Sequence, residues 1–386
     1  MNTNNKKRIG IDARFYGPVG KGLGRYTKEI VDNILRMDSE HFYVIFLSPE
    51  NYDLFSSENK NVKKVLVKSR WYSWAEQIIF PWQIHKENLD LIHFTHFNVP
   101  IFNNVKFVVT IHDLILTRFS TQRATLLPPL YYRIKYLAYR FVISRAIHKS
   151  EKIIAVSKFT KKDIEKKFKV KKDKINVIYE GVSDLSIYND ENNDSDKKVL
   201  KSYNIGDRRY LLYVGNAYPH KNLEGLLDVF KKLKKDFSSL LLVLVGKDDY
   251  FYQRLKKYTQ NLNLSNDDVI FTDYVSDKDL ASLYRNSLAY VFPSLYEGFG
   301  LPPLEAMAYN CPVVSSNQTS LPEILGDAAL YFDPDSNIDV YEKIKKIIKN
   351  KYLRRELAEK GKIQINQYNW FSSAYSTYKL YLEILK

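Results

Sequence analysis

The chain predicts an α/β architecture of two doubly wound, parallel-sheet domains, and three observations carry that expectation. Its 386 residues exceed the size at which one hydrophobic core stops growing, and 45% hydrophobic residues suffice to fill two. Short β-branched runs alternate with longer stretches of helical spacing, as expected of βα units around a parallel sheet. The alternation breaks once, in the polar stretch Asn189 to Lys198, and then starts again.

In the first half the strand candidates are Ile9 to Ile11, Phe42 to Leu47, Val62 to Val67, Leu91 to Phe94, Phe107 to Ile111, Ile153 to Val156 and Val177-Ile178. Asn189 to Lys198 reads as part of a linker. In the second half the candidates are Tyr210 to Val214, Leu240 to Val245, Val269 to Phe271, Ala289 to Phe292, Pro312 to Val314 and Leu330 to Phe332. After Asp339 the chain reads as helix to its end, with Phe371, Tyr375, Tyr378 and Leu382 as an apolar stripe. The expected domains are 1–185 and 200–367, facing each other across a cleft at the carboxyl ends of their strands. The last helix, about 368–386, is expected to cross back and pack on the first domain.

Charge is unevenly distributed. Residues 1–190 hold 32 Lys and Arg against 19 Asp and Glu, a net +13, which leaves +2 of the total +15 for the remainder. Such a field attracts polyanions, nucleic acid or an anionic lipid surface, and its sign alone does not choose between them. The single cysteine, Cys311, sits in an apolar run and is expected to be a buried structural thiol in a reducing compartment. No stretch has signal-peptide character or the about 18–20 apolar residues of a spanning helix, so the protein is expected to be cytoplasmic.

The most informative segment is Pro293 to Ala308, PSLYEGFGLPPLEAMA. A strand ends at Phe292, a loop with two glycines follows, and Pro302-Pro303 opens a helix where missing N–H groups do no harm. Glycines let backbone approach a ligand, and a helix start favours phosphate. Glu297 falls in the loop and Glu305 in the expected first helical turn, so both carboxylates can face one cleft and accept hydrogen bonds from sugar hydroxyls. By residue type alone, Glu305 serves equally well by complementing the helix dipole and Glu297 as a solvated side chain.

Inside Glu-Gly-Phe-Gly-Leu-Pro-x-Leu-Glu-Ala, the spacing Glu297-x7-Glu305 resembles the signature of the retaining glycosyltransferases of family four, which have the two-domain GT-B fold. The similarity runs nearly end to end. Gly17 to Tyr26 resembles that family's glycine-rich first loop, Thr110 to Asp113 its His-Asp motif, Ala155 to Phe159 its serine segment, and Val214 to Asn222 its phosphate-binding loop. The opening Gly10 to Arg14 and the run Gly326 to Leu330 look most like bacterial mannosyltransferases of surface-polysaccharide assembly.

The resemblance implies roles. Lys221 would neutralise the donor diphosphate, Glu305 would bind the ribose, and Glu297, Gly298, Phe299, Gly300 and Leu301 would hold the sugar and phosphate. His112 would sit near the reacting sugar, and Gly22 and Gly24 would let the first loop close on diphosphate or acceptor. Where many relatives carry arginines in the phosphate loop this chain has Asn216 and His220, which leaves Lys221 and a histidine whose charge varies with pH, with Arg25 as a further cation. Asp273 replaces the glycine before the nucleobase-loop tyrosine, Tyr274. The implied donor is GDP-mannose, with a UDP-sugar as the alternative, and attack is from the front face. No metal or other cofactor is expected, the triplets Asp194-Ser195-Asp196 and Asp333-Pro334-Asp335 reading as linker and turn.

The acceptor side is read from Thr121 to Ser150, which holds Arg123, Arg133, Lys135, Arg140, Arg145 and Lys149, no acid, and interleaved aromatics including Tyr136. After Pro128-Pro129 it can form a helix suited either to an anionic membrane surface and a polyprenyl-linked or other glycan acceptor, or to a core position with its charges in water. The lysine-rich Lys161 to Lys174 is expected to reinforce the same face. A nucleic-acid-binding protein remains the alternative of another class, although no recognisable binding motif supports it. A related phosphorylase would need a pyridoxal group.

Overall fold

A computed structural model describes residues 6–119, 128–182 and 193–386, and within it the chain divides into two compact units, Met1–Gly181 with Asn369–Lys386, and Val182–Tyr368. The first unit holds seven strands: β1 (Arg8–Asp12), β2 (Phe42–Leu47), β3 (Val62–Leu66), β4 (Leu91–Phe94), β5 (Phe107–Ile111), β6 (Lys152–Ala155) and β7 (Ile175–Val177). They pair in parallel in the order β3-β2-β1-β4-β5-β6-β7. Central strands such as β5 are buried along their whole length, which is why they read as uninterrupted apolar runs. The edge strand β3 instead carries Lys63, exposed and paired with Glu87, and so resists edge-to-edge pairing.

The second unit repeats the plan with β8 (Tyr210–Val214), β9 (Leu241–Val245), β10 (Val269–Phe271), β11 (Ala289–Phe292), β12 (Val313–Ser316) and β13 (Ala329–Phe332), in the order β10-β9-β8-β11-β12-β13. All pairs are again parallel. In both sheets the strand order reverses at one place, between β1 and β4 and between β8 and β11. Loops diverge there, leaving a crevice at the carboxyl ends of the strands.

Three expectations need correction. Part of the expected linker is helix: Asn193–Ser202 packs on the Asp277–Asn286 helix, and Asp196 is buried against Ser282, Arg285 and Asn286. Those partners keep the Asp196 carboxyl below its usual range against the opposing effect of burial, so the first acidic triplet has a structural use. Residues 189–192 of that stretch lie outside the described residues. The last helix, Trp370–Leu385, belongs to the first unit but does not bury the expected stripe. Phe371 and Tyr375 are exposed, while Trp370, Ser373, Ala374, Thr377, Leu380 and Tyr381 face inward. Small and hydroxyl side chains allow close packing on the Lys21–Met37 helix, and the buried hydroxyls find partners: Ser373 donates to the Tyr179 carbonyl and Thr377 to that of Ser373.

Finally, Gly22 and Gly24 lie within the first turns of the Lys21–Met37 helix and not in a loop. A Cβ on Gly24 would stand 2.0 Å from the Gly17 carbonyl oxygen and 2.6 Å from that of Phe15, so this glycine permits a backbone-to-backbone contact. A Cβ on Gly22 meets nothing within 4 Å.

Candidate functional site

The second unit's switch point is built from the loops after β8 and β11. After β8 the chain runs Gly215 to Asn222, closes a short turn at Pro219–Lys221, and enters the Leu223–Asp236 helix through Asn222 in a left-handed conformation. Asn216 shapes the loop: its carbonyl accepts from the Tyr213 hydroxyl (2.7 Å) and its side chain accepts from the Tyr218 N–H (3.3 Å). The His220 carbonyl accepts from the Leu295 N–H (2.8 Å), which ties this loop to the one after β11.

Across that tie, Lys221 Nζ lies 2.5 Å from Glu297 Oε1 and 5.3 Å from the centre of the Phe292 ring. The Lys221 and Glu297 side chains are 12% and 10% exposed, so the pair is nearly enclosed but still reachable. Two residues that the sequence reading passed over hold Glu297 in place. Its N–H donates to Thr319 Oγ1 (3.0 Å), and the Ser320 hydroxyl lies 3.0 Å from the carbonyl oxygens of both Glu297 and Phe299. Their only signal in the sequence is a run of small polar residues, Ser315 to Ser320, following an apolar strand.

Gly300, at φ +105°, caps the Leu301–Ala308 helix, which carries Pro302 and Pro303 in its first turn. Gly298 and Phe299 are buried and Leu301 is half-buried. Glu305 stands in the second turn, since the helix starts at Leu301. Both carboxylates act on one group, the Tyr290 hydroxyl, which donates to the Val214 carbonyl (3.0 Å). Burial, then Tyr284, Glu305 and Glu297, push Tyr290 well above its usual value.

Burial, then the Lys221 charge, lowers His220 to about 4 against the opposing effect of Glu297, so its ring is neutral near pH 7. Tyr274 is 79% exposed, and Asp273 before it adopts φ +60°, the left-handed conformation that a glycine would supply. Cys311 is buried beside Ser287, and burial pushes its thiol up to about 12, as fits a structural thiol.

In the first unit His112 directly follows β5. Its Nδ1 lies 2.9 Å from Glu180 Oε1, its Nε2 lies 3.0 Å from the Thr95 carbonyl, and its ring meets Tyr26 edge-on at 4.6 Å. Arg25 is half-buried on the Lys21–Met37 helix, where its charge acts on Glu29 one turn on.

The basic stretch forms the Pro129–Lys149 helix; Arg123 and the rest of 121–127 lie outside the described residues. Arg133, Lys135 and Arg140 are exposed, and Tyr136 is half-buried with the Arg140 guanidinium 6.0 Å from its ring. On the same helix Leu130, Ile134, Leu137 and Phe141 form an exposed apolar stripe at spacings of four, three and four. The Trp74–Lys86 helix, which the sequence reading did not single out, exposes Trp74 (87%), Ile78 and Trp82, with Lys86 Nζ 3.4 Å from the Trp82 ring centre. Its one acid, Glu76, is buried against Arg14.

Lys161 donates to the carbonyls of Lys172 and Ile175, and Lys174 to that of His148, near the far end of the basic helix. At about 1.5 Å per residue, that is roughly 10 Å or more from Phe141 along the axis.

Among the described residues no group of three or more His, Cys, Asp or Glu is placed to hold a metal ion, and no helix is long and apolar enough to cross a membrane. Known proteins resemble the chain along nearly all of its length. The family Glycosyl transferases group 1 matches residues 195–364, and Glycosyltransferase Family 4 matches residues 20–184. The O-antigen chain mannosyltransferase RfbU of Salmonella typhimurium is 32% identical over 280 residues, 72% of this chain and 70% of that protein. O-antigen chain mannosyltransferase B of Escherichia coli is 28% identical, covering 93% of this chain and 95% of its own. In fold, sucrose-phosphate synthase from Thermosynechococcus elongatus superposes with a TM-score of 0.79 at 18% identity, over 98% of this chain and 99% of that one.

Proposed function

The chain belongs to the glycosyltransferases of group 1 and family 4, with the GT-B fold, and from that premise we propose that it transfers mannose from GDP-mannose, with retention, to a lipid-linked or polysaccharide acceptor of surface-glycan assembly. The observation that carries the donor site is the Lys221–Glu297 pair at the β8–β11 switch point. A diphosphate displaces Glu297 from Lys221 and takes over the ammonium, and the freed carboxylate accepts from sugar hydroxyls. Lys221 thus meets charge as it grows on the leaving group, the kind of interaction that lowers a barrier. Glu305 takes the ribose hydroxyls. In front-face attack the acceptor oxygen bonds to the sugar C1 as the C1–O bond to phosphate breaks, and the acceptor's proton passes to the leaving phosphate oxygen. No metal is needed in this reading.

The first unit takes the acceptor. Its exposed Leu130, Ile134, Leu137, Phe141, Trp74, Ile78 and Trp82, flanked by Arg133, Lys135, Arg140 and Lys86, suit the headgroup region of an anionic bilayer, where a lipid-linked acceptor would be met. The mannosyl assignment draws on the two O-antigen mannosyltransferases, and a UDP-sugar is the competing donor.

The test is the thermal midpoint of the purified protein with GDP, UDP or ADP, EDTA present throughout. Ligand at about 100 Kd stabilises by roughly 2.7 kcal/mol. A shift with GDP that is lost in Lys221→Ala supports the reading. A shift with UDP alone discards mannose from GDP-mannose, and no shift with any nucleotide removes the donor site.

A further inference from the structure

Both ring nitrogens of His112 are committed within the first unit. Nε2 faces the Thr95 carbonyl oxygen, a group that can only accept, so it carries hydrogen wherever that contact survives. With that hydrogen fixed, a neutral ring would turn the Nδ1 lone pair toward the Glu180 carboxylate 2.9 Å away, whereas a charged ring donates to it. We propose that Glu180 is a positioning residue that keeps His112 an imidazolium, so that His112 serves the transfer as a fixed positive charge and never as the acceptor of the sugar acceptor's proton.

The surroundings agree. The His112 side chain is 16% exposed, and its partial burial by itself lowers a histidine; the hydrogen bond and charge of Glu180, the Thr95 carbonyl and the Asp113 charge together raise it above 6.5. From β4 and the loop after it, His93 and His96 face His112, and both are pushed down by burial and then by the His112 charge, His93 to about 3, so neither competes as a cation. His93 is held between the hydroxyls of Tyr381 (2.5 Å) and Thr110 (2.8 Å), and Thr110 lies 2.9 Å from the Tyr26 hydroxyl. Arg14, whose charge also acts on His96, is itself neutralised by Asp12 and Glu76. From the Lys21–Met37 helix the uncharged Tyr26 ring meets the imidazole edge-on.

A ring with both N–H groups engaged by protein acceptors cannot take a proton. It supplies a preoriented charge where negative charge develops, and its strength depends on Glu180. Only this catalytic part rests on the transferase reading; the state of the ring does not.

The experiment uses full-length protein with 15N-labelled imidazoles, the His112 signals being identified by their absence in His112→Gln. The wild-type ring is expected to lose its second proton only above the about 6.5 of an ordinary histidine. Glu180→Gln is expected to lower its midpoint by at least about one unit, a tenfold loss of proton affinity. In that variant kcat falls as pH rises through the lowered midpoint while the donor KM stays near wild type, and Glu180→Asp recovers part of kcat. A wild-type midpoint at or below the about 6.5 of an ordinary histidine overturns the proposal, and so does a Glu180→Gln titration that matches the wild type. If Glu180→Gln does not fold, the wild-type titration decides alone. A charged ring in a protein that transfers no sugar from any donor would remove the transferase reading and leave the ring assignment standing.

Discussion

At the switch point of the first sheet the carboxyl end of β1 leads to Arg14, and at that of the second sheet the end of β8 leads to Lys221. The two cations stand in matching topological places but are treated differently. Arg14 is fully buried over the Phe80 ring: its Nε and Nη2 donate to the two oxygens of Asp12 (2.8 and 2.7 Å), and its Nη1 to Glu76 (2.5 Å). Glu76 is saturated in turn by Asn98 and the Tyr72 N–H. Lys221 meets one carboxylate oxygen and stays partly open to water. A saturated charge holds its surroundings in place, whereas a charge with one partner and an opening can exchange that partner for a ligand. On the proposed reading, the difference gives Arg14 a part in stability and Lys221 a part in chemistry.

The sharpest way to break that division is to remove each cation. Arg14→Met leaves Asp12 and Glu76 buried without their partner and is expected to destabilise the protein by about 3–5 kcal/mol, read from urea unfolding. Lys221→Ala is expected to lower kcat by about 10²–10³, equivalent to about 2.7–4 kcal/mol of barrier, with an unfolding midpoint near wild type. If Arg14→Met kept its stability but lost turnover, the two switch points would have to be treated as one kind of site.

Two glycines sharpen the comparison within the first unit. Gly24→Ala drives a Cβ into the carbonyls of Gly17 and Phe15, backbone atoms that cannot step aside, and is expected to destabilise by about 1–3 kcal/mol. Gly22→Ala places a methyl in open space on a helix and is expected to stabilise by about 0.5–1 kcal/mol. Loss of turnover in Gly22→Ala at unchanged stability would return this segment to the ligand-binding role that its glycine spacing suggested.

The fold was legible because apolar runs bounded by polar residues fix parallel strands: Phe42–Leu47, Phe107–Ile111 and Ala289–Phe292 are strands with the bounds read from the sequence. The buried face of the last helix was not legible, because Ser373, Ala374 and Thr377 stand on it between Trp370 and Leu380-Tyr381, while the equally aromatic Phe371 and Tyr375 are exposed. At the candidate site the loops after β8 and β11 stood out by their glycines, prolines and charges. Glu180 did not, since its partner His112 lies 68 residues away and no local pattern links them. Thr319 and Ser320 act through single hydroxyls on backbone groups, which composition does not reveal.

The smallest expected effect concerns His220, and its direction follows from burial. Because its folded value is lowered from 6.5 to about 4, the unfolded chain binds more protons than the folded one between those values. Stability contributed by neutral His220 is therefore complete above about 6.5 and declines as pH falls toward 4. His220→Asn should flatten the acid side of the stability curve. Above about pH 6 the ring is already neutral, so the donor KM should stay constant between about pH 6 and 8 in both wild type and His220→Asn. A wild-type KM that rises with pH, and ceases to do so in His220→Asn, would mean that the diphosphate recharges the ring on binding. Lys221 would then share its task with a second cation, and the contrast between one open charge and one saturated charge would narrow to a contrast in burial.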